Sequence, residues 1–311
     1  MAEAEDDARR LSDEKDAAVD TRLDDTVLKT LQTEGYVLVE GFLDTEQVTA
    51  AQAHLEAMLP TFGQSERDNA KWINVGDSPK THFTITQFPA IPCELHLNVL
   101  SAELLDFAKR FCGTEDIVLD QSAISAKYAG HHIEDQDLHT DFTNHSLAWA
   151  PSDYLAGMIY YTDVTPENGP TRAVSWRHTV DTPMVPRDRT REEDPALYEH
   201  EVALTAPAGT LLLYTMRTFH RGSAMTGEGV HRFNHHFCHR TANVEHMGWS
   251  AWPVSGKHPE MARLMQMCNV EQRTAMGFPR PGSTYWTAEA LDGVAARYPE
   301  MDVSPYREAA R

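Results

Sequence analysis

The chain has 311 residues with 47 acidic against 27 basic side chains, a formal net charge of −20 and a pI of about 5.1. That sign argues against a nucleic-acid backbone or an anionic membrane surface as the main partner, while the length allows one large domain or two small ones with an ample core. The opening residues MAEAEDDARRLSDEKDAAVD hold no apolar stretch of signal-peptide type, and no run approaches the roughly 18 apolar residues of a membrane span.

The expectation is therefore a cytoplasmic chain. Cys93, Cys112, Cys238 and Cys268 are scattered with no C-x-x-C pair, so they read as reduced thiols, mostly small core residues, rather than a disulfide or zinc framework.

Residues 1–24 are charged and poor in large apolar groups, which predicts a disordered acidic N-terminus before a single domain over 25–311 with a C-terminal extension. DTVLKTLQTEG reads as a short helix stopped by Gly35, and GYVLVEGF alternates apolar residues as a strand does. Asp44 with Gln47 resembles a capping box for a helix through Met58, and SAELLDFAKRFCG has a Ser101 cap and Gly113 at its end. After Gly113 the texture changes. DIVLDQSAISAKYA, LAGMIYYTDV, PTRAVSW, EVALTA, GTLLLYTM and VHRFNHHFCHRTA are β-favouring runs divided by Gly, Pro, Asn and Asp turns. Helices gathered ahead of many short strands predict an α+β domain built on a β-sandwich or barrel, and the tail from Met247 is expected to pack against the sheet.

LHTD places His139 and Asp141 two residues apart; on a strand both would project from one face and could grip one ion. H-x-D alone is a common triplet, and polar loop residues are the competing reading. A candidate third ligand is His220, near the end of the apolar strand Thr210–Met216 and before a glycine-containing turn. Two histidines and one carboxylate would occupy one face of an octahedral Fe(II) and leave three positions for substrates. A 2-oxo acid would fill two of them through a carboxylate and its keto oxygen, and O2 the third. The far carboxylate of such an acid calls for a guanidinium, and Arg232 stands on the following strand. Period-2 counting groups Val230, Arg232, Asn234, His236 and Cys238 on one face and His231, Phe233, His235, Phe237 and His239 on the other, without saying which is inward. A solvated arginine in a histidine-rich edge strand is the alternative.

At this point the chain resembles the phytanoyl-CoA dioxygenase family of Fe(II)- and 2-oxoglutarate-dependent oxygenases. GYVLVEGFLDTEQV is similar to the family's first strand and helix, DQSAISAKYAG followed by LHTD to the strand leading to its ligand pair, and YYTDVTPENGPTRAVSWRHT to its Asn-Gly-Pro strand turn. GTLLLYTMRTFHRGS, with an arginine twelve residues past its histidine, is similar to the distal segment. The likeness covers about residues 35–240 in the family's order. It implies a double-stranded β-helix (jelly-roll) core with flanking helices. It also implies His139, Asp141 and His220 as iron ligands and Arg232 as partner of the 2-oxoglutarate C5 carboxylate, with Ser223 and Gln121 as further contacts to the oxo acid. Ser175-Trp176-Arg177-His178 departs from the family's usual Pro-Gly-Ser-His loop, and the turn between His220 and Arg232 is of unusual length. Asp141 is present where halogenating relatives carry a small residue, so the implied reaction is hydroxylation of a small-molecule substrate's C–H bond, or a related oxidation such as epimerisation, desaturation or ring formation. Competing classes are a jelly-roll binding protein without turnover and a zinc-dependent hydrolase using the other histidines.

Those histidines are expected to be mostly non-ligands. His131 and His132 read as loop or lid residues, His145 with Trp149 as possible substrate neighbours, and His231, His235, His236 and His239 as sheet-surface or packing residues because they alternate faces. Met261, Met265 and Met267 are expected in a helical core, and Arg172, Arg177, Arg187 and Arg189 either attract an anionic substrate or sit solvated in a loop.

Overall fold

The structure, a computed structural model, describes residues 22–59, 83–87, 91–128, 135–141, 154–183, 188–242 and 259–310. Most of the predicted acidic N-terminus, His131, His132, His145, Trp149 and Arg187 lie outside the described residues.

In chain order the first elements are α1 (Asp25–Glu34), β1 (Tyr36–Val39), α2 (Thr45–Met58), β2 (Phe83–Gln87), α3 (Cys93–Val99), α4 (Ala102–Cys112) and β3 (Ile117–Tyr128). There follow β4 (Leu138–His139), β5 (Tyr154–Tyr160), β6 (Thr171–Val174), β7 (Asp188–Arg189), α5 (Pro195–Glu199), β8 (Glu201–Ala203), β9 (Leu211–Thr215), β10 (His220–Gly222) and β11 (His231–Thr241). The C-terminal part adds α6 (Pro259–Met267), α7 (Val270–Ala275), α8 (Ala288–Arg297) and α9 (Ser304–Ala309).

The helix ends follow local chemistry. Asp24 accepts from the Val27 N–H at 2.9 Å to start α1, and Gly35, at φ 81°, stops it by donating to Leu31 O at 2.9 Å. Both arms of the Asp44/Gln47 capping box are made, at 2.8 and 2.9 Å. Ser101 caps α4 and Gly113, at φ 68°, ends it.

The strands form two antiparallel sheets. One has six strands in the order β1-β9-β5-β11-β3-β2, the other five in the order β7-β4-β10-β6-β8. Two such sheets in non-sequential strand order make the jelly-roll, a double-stranded β-helix. The larger sheet is covered on both sides, which is why its strands read as continuous apolar runs: all seven residues of β5 are buried. Leu155, Ile159, Leu211 and Leu213 point outward into a core shared with α3, α4 and α6, while Tyr154, Ala156, Met158, Tyr160, Leu212 and Tyr214 fill the space between the sheets. Each large apolar side chain buried in this way contributes roughly 1.5–3 kcal/mol. Gly157 on β5 has no space for a side chain, because a Cβ there would lie 2.4 Å from the Phe237 ring.

The C-terminal helices pack as expected: Met261, Leu264, Met265 and Cys268 belong to the outer core. Met267 differs from expectation. It is 40% exposed, because it falls on the solvent side of α6. All four cysteines are free thiols, three of them buried. Among the described residues no helix is long and apolar enough to cross a membrane.

Candidate metal centre

His139 and His220 lie more than eighty residues apart in the chain and meet because β4 and β10 are antiparallel neighbours whose register pairs these two residues directly. Their ring centroids are 4.6 Å apart. Two local devices aim them. The chain leaves β9, crosses to the smaller sheet and turns through Thr218, whose hydroxyl donates to Gly35 O at 2.6 Å. His220 then donates from Nδ1–H to Thr218 O at 3.0 Å, and His139 donates likewise to Asp137 O at 2.8 Å. Each bond assigns the proton to Nδ1 and leaves Nε2 as the lone-pair nitrogen, the tautomer that metal ligation needs.

Asp141 completes the set from an unexpected place. β4 ends at His139, so the two side chains do not share a strand face; Asp141 reaches the site from the bend that follows. One donor atom from each of His139, Asp141 and His220 lies within 4.8 Å of the others, and this is the group of metal-binding side chains found among the described residues. His220 Nε2 stands 3.5 Å from Asp141 Oδ2. Cis ligands at about 2.1 Å from one octahedral ion are about 3 Å apart, so a small closure would seat a divalent metal. Both histidines are buried, at 8% and 7% exposure. Tyr214, on β9, lies against the set from the other sheet: its hydroxyl donates to Asp141 Oδ2 at 3.4 Å and its ring centroid is 4.8 Å from that of His220. Burial and the nearby Asp141 carboxylate hold this phenol well above its ordinary range.

The register of β11 settles its inward face. Arg232, Asn234, His236 and Cys238 oppose Lys127, Ser125, Ala123 and Gln121 of β3, and Asn234 to Cys238 oppose the inward residues Tyr160, Met158 and Ala156 of β5. Arg232 is 3% exposed; its Nη1 donates to Gly169 O, while its Nε has no hydrogen-bond partner among the described residues. Burial draws its pKa down to about 10. Ser223 lies beside it, but its hydroxyl donates to Pro170 O at 2.5 Å and so braces the Asn168-Gly169-Pro170 turn. Gln121 sits on the inner wall in the cross-strand row that runs through Cys238 and Ala156 to Tyr214.

Sequence reasoning passed over three side chains of this wall. Lys127 faces Arg232, and burial, with Arg232's charge second, brings its pKa down to about 7. His236 bonds Ser125 Oγ through Nε2 at 2.9 Å, and burial with the charges of Arg232 and Lys127 pushes it down to about 3, so it is neutral. Asn234 is fully buried, with Oδ1 lacking a partner among the described residues. Period-2 counting on β11 held the signal for the last two, given the inward face; Lys127 needed the register.

The described histidines on the other face of β11, and Arg172, Arg177 and Arg189, have structural partners. His235 joins a buried network with Ser122 at 2.7 Å, Tyr161 and His96 behind the sheet. His231 packs on Tyr128 and Phe233, and His239 is buried beside Phe237. Arg172 pairs with Glu201 at 3.3 Å, Arg177 with Glu34, and Arg189 donates to Pro183 O at 2.6 Å.

Solved structures share this architecture. The non-heme alpha-ketoglutarate-dependent carbocyclase SnoK from nogalamycin biosynthesis matches at 24% identity over 71% of this chain and 86% of that one, with a TM-score of 0.55. EctD from S. alaskensis, with 2-oxoglutarate and 5-hydroxyectoine, matches at 17% identity over 74% and 80%, with a TM-score of 0.56. The epimerase SnoN, in complex with Fe3+, alpha-ketoglutarate and nogalamycin RO, matches at 16% identity over 70% and 83%, with a TM-score of 0.52. At these identities the likeness speaks for the fold. No curated protein sequence matches the chain significantly. The family model for phytanoyl-CoA dioxygenase (PhyH), in contrast, matches residues 31–233, well over half the chain and the span that holds both histidines, the aspartate and the buried arginine. The chain belongs to the phytanoyl-CoA dioxygenase family of Fe(II)- and 2-oxoglutarate-dependent oxygenases.

Proposed function

We propose that His139, Asp141 and His220 hold ferrous iron, that Arg232 receives the C5 carboxylate of 2-oxoglutarate, and that the enzyme hydroxylates an unactivated C–H bond of a small-molecule metabolite. The observation that carries this reading is the convergence of two Nε2 atoms and one carboxylate oxygen within 4.8 Å, on the inner side of a jelly-roll. The donor set suits the metal: two neutral imidazoles and one carboxylate match Fe(II) and leave one octahedral face open. The cosubstrate fits as well, since Arg232 is buried with an unpartnered Nε on the same inner wall. When bound, iron with 2-oxoglutarate and O2 supplies oxidation of a C–H bond coupled to loss of carbon dioxide and formation of succinate.

The chain's own residues orient and insulate. The Nδ1–H bonds of His139 and His220 fix their rings, the Tyr214 hydroxyl holds Asp141, and Ser223 keeps the Gly169–Pro170 turn where Gly169 O accepts from Arg232. Gln121, on the inner wall, is assigned a contact to the oxo acid. Met158, Tyr160 and Leu212 keep the interior dry.

Anaerobic Fe(II) plus 2-oxoglutarate should give a weak visible charge-transfer band, and succinate should be released in air without added substrate. His220→Ala should remove both; intact absorption in that variant would end the assignment. The fold shared with SnoK and SnoN favours ring formation or epimerisation as the second reading. Product mass separates the two: hydroxylation adds one oxygen atom, while the others leave the mass unchanged or lower it by two hydrogens.

A further inference from the structure

Behind the smaller sheet lies a cavity that the proposed function leaves unused, with a volume of about 280 Å³. That is close to the ~300 Å³ at which small-ligand sites begin. Phe219 lines it from the face of the chain opposite to His220: it joins Leu138 and Val174 in an apolar cluster apart from the interior. Another wall is Trp176, from the Ser175-Trp176-Arg177-His178 loop in which this chain departs from its family. The indole is held in place, because its Cδ1–Nε1 edge lies against Gly35, where a Cβ would stand 2.4 Å away. Val180, 71% exposed, marks the mouth.

Although the chain carries a net charge of −20, the charged side chains lining this cavity are Arg177 and Arg217. Arg177 is committed to Glu34. Arg217 is not: among the described residues no carboxylate or carbonyl pairs with its guanidinium, which lies over the Trp176 ring at 5.5 Å from the centroid. A guanidinium stacked by its face keeps its N–H edges for an acceptor in its own plane, and a carboxylate fits two of them at once. One unmatched cation beside Trp176, Val180 and Phe219 suits a monoanion with an apolar body, and the volume is too small for a nucleotide. The two walls also meet at a residue that serves the metal centre. Arg217 and Phe219 flank Thr218, whose hydroxyl donates to Gly35 O at 2.6 Å and whose carbonyl accepts from His220 Nδ1–H at 3.0 Å. A ligand that fixes Arg217 and Phe219 against Trp176 therefore fixes the carbonyl that aims His220.

We infer that this cavity is a binding site for a small aromatic monocarboxylate, with Arg217 taking the carboxylate and Trp176 and Phe219 the ring. Its occupation tightens metal binding at His220, a consequence that rests on the reading of His220 as a ligand. The site is distinct from the cosubstrate end, whose cation, Arg232, belongs to the larger sheet.

The test is calorimetry on the full-length protein, with 1-naphthoate as probe and its neutral counterpart 1-naphthalenemethanol as control. In metal-free protein the acid should bind at least about tenfold more tightly than the alcohol, and Arg217→Met should erase that preference. Val180→Trp should block both at the mouth, while Arg232→Met should bind the acid as the wild type does. Co(II), titrated anaerobically, should bind about fivefold more tightly with the probe present, and by linkage the probe should gain the same factor from Co(II). Arg217→Met should lose both gains. Equal binding of acid and alcohol, or of the acid by wild type and Arg217→Met, would overturn the site. Loss in Arg232→Met with none in Arg217→Met places the probe at the cosubstrate end and overturns it too. Co(II) affinity that ignores the bound probe, or weakens with it, rejects the coupling, whereas Co(II) binding untouched by His220→Ala rejects the reading of the metal centre and not the site.

Discussion

At the scale of single residues, the site depends on how burial sets charge. His236 is held neutral and Arg232 stays cationic across ordinary pH, so neither titrates near neutrality; Lys127, brought down to about 7, does. The charged and titratable groups around it are Arg232 and His236 on β11 and Asp135 ahead of β4, whose carboxyl is held below its ordinary range by the Ala224 N–H and Arg221 despite burial. The sign follows from the direction of the shift. An unfolded chain holds this proton up to about pH 10.4, so the buried lysine costs stability at neutral pH, and that cost shrinks as pH rises from about 7 toward 10. Chemical denaturation at about pH 7.5 and about pH 9 should show the wild type gaining more stability with pH than Lys127→Met does.

At the scale of elements, the Asn-Gly-Pro turn between β5 and β6 explains why an Arg on one sheet has a fixed address on the other. Thr165 N donates to Asn168 Oδ1 at 2.9 Å and Asn168 Nδ2 to Asp163 O at 2.6 Å, which closes the turn. Gly169, at φ 73°, then directs its carbonyl at Arg232, and a Cβ there would sit 2.8 Å from Ser223 O. Gly169→Ala should destabilise the protein by about 1–3 kcal/mol, through left-handed strain and this backbone clash. Thermal melting checks the stability. Calorimetry should show weaker 2-oxoglutarate binding in the same variant, because the guanidinium loses its anchor. At the far end of the interior a register shift on β3 leaves Asp120 as an extra residue, and its carboxylate meets Arg240 at 2.9 Å in a nearly buried ion pair.

At the scale of the whole molecule, the two sheets divide the work. The candidate metal ligands come from the smaller sheet and the bend beside it, and the two cations from β11 and β3 of the larger one. An oxo acid chelating the metal and reaching Arg232 would therefore tie sheet to sheet. Ligands that bind only the folded state stabilise it by about 2.7 kcal/mol at a hundredfold excess over Kd. Melting should rise with Mn(II) and rise further with Mn(II) plus 2-oxoglutarate, and EDTA should reverse both. Monoanionic 2-oxobutanoate at the same excess over its own Kd would give an equal shift, so the comparison is made at equal concentration, where it should give less.

Reading the chain alone was enough for whatever depends on neighbours a few residues away. Asp44 and Ser101 as helix caps, Gly35 and Gly113 as stops, and the β-rich texture after Gly113 are of this kind. So is the choice of His139, Asp141 and His220 as candidate ligands and Arg232 as a candidate guanidinium, because ligand type is a property of the side chain. Tertiary structure decided what depends on register. β11 is covered on both faces, so hydrophobic alternation could not say whether Arg232 or His235 turns inward; pairing with β3 and β5 did. Direct pairing of His139 with His220, the approach of Asp141 from a bend, and the placement of Lys127 against Arg232 arise from strands far apart in the chain, where a one-residue slip would turn each side chain to the opposite face.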